Sequence, residues 1–345
     1  KQAEEYYYGR MPKDKQNTYR AMLAGLMDLS DEILLPQVPT TDGNWLYDVF
    51  FQLRLDHPEI FWAVGFKYRH YKDSPNLILI PEYIFDKNKS AAQESSARRV
   101  EKLVRPAAKF SEWDKEKYVH DFICENIRYD KLKKPYSHEI IGPLGHGVGV
   151  CEGIAKSVKI LCDALGVWCV IAICGNNPEK GIKYRHTWNI VESTDNIIIW
   201  MPLLQITWQK EDDSVSIRYD YFNLDDKNIF RDHEPLIAPA PACPDGSHSY
   251  YREKKLSFTK IEDVYKRALQ AARKGREFTF HWRGSYLTRE VLADLVDQIQ
   301  AAGKTRDKKA IITLNWPQAI LRFHFTDQQA EDKVFIEEVN EGEKL

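Results

Sequence analysis

One cysteine in this sequence stands in a setting that can make it a nucleophile. Cys151 follows the run Gly145-His146-Gly147-Val148-Gly149-Val150 and is followed by Glu152 and Gly153. Glycines let the backbone turn sharply and come close to a ligand. Beyond them Ile154, Ala155, Val158, Leu161, Cys162 and Leu165 recur at helical spacing, so Cys151 is expected at a helix N-terminus. The free N–H groups and the positive end of the helix dipole favour a thiolate there, which is the reactive form of cysteine.

The elements that must position this thiol follow in order. Gly166 stops the helix, and Val167 to Ile173 reads as a strand buried on both faces. A turn-rich loop, Gly175-Asn176-Asn177-Pro178-Glu179-Lys180-Gly181, leads to a second β-rich run that begins at His186 and includes Thr187, Trp188, Asn189, Ile190 and Val191. A strand returning beside the helix start would bring the His186 imidazole within hydrogen-bond reach of the Cys151 sulfur, the geometry of an activated thiol.

The run Gly-Val-Cys-Glu-Gly-Ile-Ala-Lys at 149–156, His-Thr-Trp-Asn-Ile-Val at 186–191 and Ile-Thr-Trp at 206–208 together resemble the transglutaminase-like superfamily of cysteine enzymes. A lead-in helix around Val119 to Asp130 is similar as well, so the resemblance spans roughly residues 110–235. It implies a papain-like α+β core in which a helix bearing the cysteine packs on an antiparallel sheet. It also implies a Cys-His-Asp triad, of which Cys151 and His186 carry over directly. The third position falls on Gln205, where the family has aspartate. A glutamine carbonyl can accept the imidazole Nδ1–H but adds no negative charge. By the same resemblance the substrate is a protein or peptide, attacked at a peptide or side-chain amide, and the relatives with this architecture are mostly bacterial and protease-like. The competing expectation is a catalytically weak or inactive scaffold that recognises a protein or cell-wall partner.

Four further residues are candidates for the cleft. His138 precedes the glycine run and occupies a position where similar proteins often have histidine. Gly149 lies in the run itself, Trp188 is placed to wall either cleft or core, and Glu152 suits the first helical turn, where carboxylates are favoured. His146 is an alternative cleft residue. A metal set of Cys169, Cys174 and His186 fails, because strand positions 169 and 174 face opposite ways and the spacing is not that of a zinc site. No Gly-Lys-Ser/Thr follows the glycines, so they are not a phosphate loop, and no cofactor is expected.

Composition sets the outer limits. The chain has 345 residues, 43% hydrophobic and 29% charged, with a formal net charge of -2, which gives no electrostatic case for nucleic acid. Its longest apolar run is strand-length, so no membrane span is expected. The six cysteines are too sparse for a disulfide scaffold. The chain begins at Lys1 without methionine, consistent with a removed leader and an extracytoplasmic or cell-surface address. Oligomeric state is not legible. Four segments are expected: an N-terminal α+β module at 1–95, the transglutaminase-like core at 96–237, a proline-rich linker at 238–246, and a C-terminal α/β module at 247–345. The stretch 90–99 reads as a linker or as the exposed start of a helix.

Overall fold

The computed structural model describes residues 5–84, 89–174, 186–193, 197–201, 217–233, 240–327 and 333–336. The fold is α+β and divides into two compact units, Lys1–Arg218 with Pro235–Ala242, and Tyr219–Glu234 with Cys243–Leu345.

The first unit begins with α1 (Lys13–Met27), β1 (Ile33–Leu35), α2 (Gly43–Asp56), β2 (Ala63–His70) and β3 (Leu77–Tyr83). The three strands form an antiparallel sheet in the order β1-β3-β2, which leaves β1 at an edge, where Pro36 is tolerated. α1 buries Tyr19, Met22 and Leu26 while α2 buries Leu46, Val49, Phe50 and Leu53, each a stripe at helical spacing. The carboxylate of Asp56, at the end of α2, accepts from the N–H groups of Tyr7 and Tyr8 and from the Tyr19 hydroxyl, fixing the first described turn against both helices.

α3 (Lys89–Val104) occupies the stretch that read as a linker or as the exposed start of a helix, and it is the helix. It turns Val100 and Val104 inward, and its charged positions explain why the periodicity was faint. α4 (Glu112–Asn126) follows, capped by the Ser111 hydroxyl accepting from the Asp114 N–H. Two very short parallel strands, β4 (Arg128–Tyr129) and β5 (Val148–Gly149), then bracket the loop that leads into the site.

α5 (Cys151–Leu165) is the centre of this unit. Every apolar position expected of its stripe is buried, and Gly166 ends it in the left-handed conformation. β6 (Cys169–Cys174), β7 (His186–Ser193) and β8 (Ile197–Met201) form an antiparallel sheet in that order, and α5 packs on β6 and β7. The helix-on-antiparallel-sheet arrangement is the one the resemblance implied.

The second unit contains α6 (Asp226–Ile229), α7 (Tyr250–Glu253), β9 (Ser257–Phe258), α8 (Ile261–Lys274), β10 (Phe278–Trp282), α9 (Arg289–Lys304), β11 (Lys308–Asn315), β12 (Ile320–Asp327) and β13 (Lys333–Ile336). Its sheet runs β13-β11-β12-β10-β9, and β11 and β12 form a hairpin around Asn315-Trp316-Pro317. Val264 and Ala268 of α8 and Leu295 and Ile299 of α9 meet Phe280, Ile312, Leu321 and Phe323 from the sheet in one core. Residues 220–223 form a turn. Within the proline-rich stretch, Cys243 is fully buried: its N–H donates to the Asp226 carboxylate, and its carbonyl accepts from the Asp226 N–H.

Phe280 is completely buried among Phe258, Phe278 and Phe323. Phe280→Ala is expected to destabilise the second unit by about 3–5 kcal/mol. The check is urea unfolding followed by circular dichroism, and a loss below about 1 kcal/mol would mean that this core is not packed as described.

Candidate active site

Cys151 is the first residue of α5, half-buried, and forms no disulfide. The loop before it is compressed against the helix start. Gly147, at φ 69, caps a short wide helical turn at Gly142–His146 in the left-handed region that favours glycine. Gly153 is required for a different reason, since a Cβ there would run into the carbonyl of Ser137. That carbonyl also accepts from the Val150 N–H at 3.0 Å, so the segment before Cys151 and the turn at Pro135–His138 are held edge to edge. Gly149 is buried, and a Cβ on it would meet Pro143 Cγ at 2.6 Å. The glycine spacing seen in the sequence is therefore a packing requirement as well as a backbone one.

Behind the thiol lies a buried ionic cluster. The Lys156 ammonium, with no exposed surface, donates to both oxygens of Glu139 at 3.0 and 3.1 Å and to the His138 carbonyl at 3.2 Å, and pairs with Glu152 Oε1 at 2.7 Å. Arg54, from α2, also pairs with Glu139. The second oxygen of Glu152 lies 3.3 Å from Nδ1 of His138, whose ring is partly exposed. Burial alone would raise the Glu152 carboxyl, but Lys156, His138 and Arg54 outweigh it and hold the group far below the usual carboxylate range. Burial and then the repulsion of Arg54 act on Lys156, offset in part by Glu152, and bring it down to about 7. Glu152 thus does two jobs its sequence position did not reveal, anchoring Lys156 and His138.

Burial likewise pushes the Cys151 thiol up. Against it act the hydroxyl and N–H of Thr187 and the N–H of Glu152, while the Glu152 carboxylate adds to the upward push. The helix N-terminus alone does not make the resting sulfur a thiolate.

His186 is the first residue of β7, paired in register with Cys174 and half-buried. Regular alternation turns Thr187 and Asn189 toward α5, where Asn189 Nδ2 donates to the Ala155 carbonyl at 2.9 Å. Trp188, 6% exposed, lies on the other face, and the same alternation groups His186 with it. Yet the N–H that meets the sulfur belongs to the peptide joining His186 to Thr187, so the His186 backbone abuts Cys151. Gln205 and Trp208 lie outside the described residues. His146 is exposed and lies against Tyr136 in a tilted arrangement, with ring centroids 4.6 Å apart. Among the described residues no cluster of three metal-ligating side chains occurs, and no helix is long and apolar enough to cross a membrane.

The ion pair at Glu152 has a consequence for pH. An unfolded glutamate titrates near 4.5 and folded Glu152 titrates lower, so on acidification the unfolded chain takes up this proton first. The stabilisation is therefore present above about pH 4.5 and is lost as pH falls further. Glu152→Gln is expected to flatten the acid side of the stability curve, measured as the urea midpoint against pH. Parallel curves for parent and variant would contradict the assignment.

A scan against protein families matches residues 97–203 to the transglutaminase-like superfamily. No curated protein matches the sequence. Among solved structures, a TGase crystal structure aligns over 47% of this chain and 49% of its own, at 12% identity and a TM-score of 0.28. A proposed cysteine protease from Cytophaga hutchinsonii aligns over 41% of this chain and 62% of its own, at 13% identity and a TM-score of 0.25. A proposed protease from Parabacteroides distasonis ATCC 8503 aligns over 41% and 37%, at 13% identity and a TM-score of 0.23. The chain spans about half the length of the first of these structures. The segment 97–203 that matches the transglutaminase-like superfamily contains Cys151 at the start of α5 and His186 at the start of β7.

Proposed function

We propose that the protein is a cysteine hydrolase or acyltransferase acting on peptide or side-chain amide bonds. The observation that supports this best is the meeting of the His186–Thr187 peptide with the Cys151 sulfur at the start of a helix. In this reading Cys151 Sγ attacks the amide carbonyl, and His186 takes the thiol proton as the C–S bond forms. The same imidazole returns the proton to the departing amine as the C–N bond breaks, leaving a thioester that water or a second amine resolves. The Cys151 backbone N–H, free at the helix start, supports the oxyanion. Gln205 orients the imidazole through its side-chain carbonyl. A protein or peptide is the substrate; His138, Gly149 and Glu152 lie beside the reacting group without taking part in proton transfer, and Trp188 belongs to the other face of β7.

A thiol raised by burial makes the base obligatory, because little thiolate exists before the substrate arrives. The same observation, with the alternation that groups His186 with Trp188, supports a second reading in which the chain is a catalytically weak or inactive scaffold for a protein or cell-wall partner. Turnover separates the two. Peptide amides, a glutamine-containing peptide with a fluorescent primary amine, and the same peptide alone report cleavage, cross-linking and deamidation in turn. The enzyme reading expects at least one product, lost in Cys151→Ala and His186→Ala with folding intact; no product in any assay would favour the scaffold.

Two further outcomes are expected. Cys151 should alkylate faster than the other five cysteines, since Cys124, Cys162, Cys169 and Cys243 are buried; peptide mapping after brief iodoacetamide treatment measures this, and equal labelling of Cys162 would refute it. Gln205→Asp should raise the Cys151 alkylation rate at neutral pH by roughly a few-fold, since a charged hydrogen bond is stronger than a neutral one but desolvation offsets part of the gain. Unchanged rates in Gln205→Asp and Gln205→Ala would mean that Gln205 does not touch His186.

A further inference from the structure

The hydroxyl of Thr187 is the most telling polar group near the thiol that no motif singles out. Thr187 is 8% exposed, and its Oγ1 is a buried oxygen without a hydrogen-bond partner. Buried hydroxyls are nearly always paired, so an orphan beside a reacting atom calls for a reason. Among the described residues Oγ1 has no partner, and its position is fixed by the packing of β7 on α5. Asn189 Nδ2 donates to the Ala155 carbonyl, and Lys159 Nζ, one turn further along the helix, donates to the carbonyl of Cys169, which pairs with Val191. Strand and helix therefore run side by side in the same direction. Two residues back along the strand cover about 6.6 Å, and four back along the helix about 6 Å. That step carries Asn189 to Thr187 and Ala155 to Cys151, so Thr187 faces the sulfur.

We infer that Thr187 is a catalytic residue whose hydroxyl, unpartnered while Cys151 is a thiol, donates to the sulfur when the thiolate forms. A neutral thiol is a weak acceptor, and Oγ1 stands near it without closing a bond; a thiolate is a strong one. The Thr187 hydroxyl and N–H both act to lower the Cys151 thiol, against the burial that raises it. The arrangement places a donor where the charge develops, at no cost of reorganisation. This deepens the hydrolase reading and rests on it only for its use in turnover, because the donor acts on the sulfur with or without substrate. Among the described residues, the charged and titratable groups around the sulfur are Glu152 and Lys156 on its own helix, His138 and Glu139 from the preceding turn and Arg54 from α2, with His186 next to Thr187 on β7. None is altered by a change at Thr187.

The test is the thiolate absorbance of Cys151 against pH, taken as the difference between the chain and its Cys151→Ser variant, so that no reagent has to reach the site. Thr187→Val keeps the shape and removes the donor, and Thr187→Ser keeps the donor. The midpoint is expected to rise by about one pH unit in Thr187→Val and to stay within a few tenths in Thr187→Ser, one unit being the worth of one charged hydrogen bond. Should Thr187→Val alter the near-ultraviolet circular dichroism, Thr187→Ala takes its place. Equal midpoints in the parent and the donor-free variant would overturn the inference, as would a rise of the same size in Thr187→Ser, which would mark a packing effect. A shifted midpoint in a chain that turns over no amide would sink the hydrolase reading and leave this one standing. Turnover with an unmoved midpoint would do the reverse.

Discussion

The ammonium of Lys156 has no exposed surface, and a charge in that position must be met from several sides or the helix that carries it cannot be buried. It is met by both oxygens of Glu139, by Glu152 and by the His138 carbonyl, with Arg54 also paired to Glu139. Removing one partner from such a set leaves an uncompensated charge and costs about 3–5 kcal/mol. The geometry of the thiol follows from this demand. Glu139 and His138 must lie against α5, which brings the Ser137 carbonyl onto Gly153 and the Val150 N–H, and so sets the approach of the chain to Cys151. Because Arg54 sits on α2, the N-terminal elements are tied to the same cluster.

Much of the frame was legible in the residue pattern. Ile154, Ala155, Val158, Leu161, Cys162 and Leu165 announced α5, Gly166 announced its end, and the unbroken apolar run after it announced β6. The asymmetry of the second unit was also visible, since α8, α9 and the β11–β12 hairpin all carry clean stripes or alternation. The failures have physical causes. The start of α3 left linker and helix both open because, among its described side chains, Val100 and Val104 alone are buried along a strongly charged helix. β4, β5 and β9 have two residues each, too few for a period to register.

The elements that carry Cys151 and His186 were legible, and the electrostatics around them were not. Cys151 and His186 could be named because glycine spacing and β-rich composition mark their elements. Lys156, Lys159, Glu139 and Arg54 look in a sequence like a solvated face, and pattern reading has no means of seeing that all four are buried. Glu152 drew notice only as a first-turn carboxylate, whereas its pairing with Lys156 and His138 depends on a turn brought in from a separate stretch. Thr187 passed unremarked between two conspicuous neighbours, His186 and Trp188, and only its orphaned oxygen singles it out. The thiolate expected from the helix N-terminus gave way to a thiol raised by burial, because dehydration outweighs the donors at the helix start.

The side-by-side run of α5 and β7 acts as a vernier. One helical turn and two strand residues advance by nearly the same distance, so Cys151 meets Thr187 and Ala155 meets Asn189 on a shared scale. A single residue inserted between His186 and Asn189 would slip one scale against the other and turn every following side chain of β7 to the wrong face. The interval from Cys151 to Ala155 is equally rigid, for it is one turn. Length can therefore vary freely in this part of the chain only where it leaves both scales aligned, and two intervals far apart in sequence are bound to drift together or not at all.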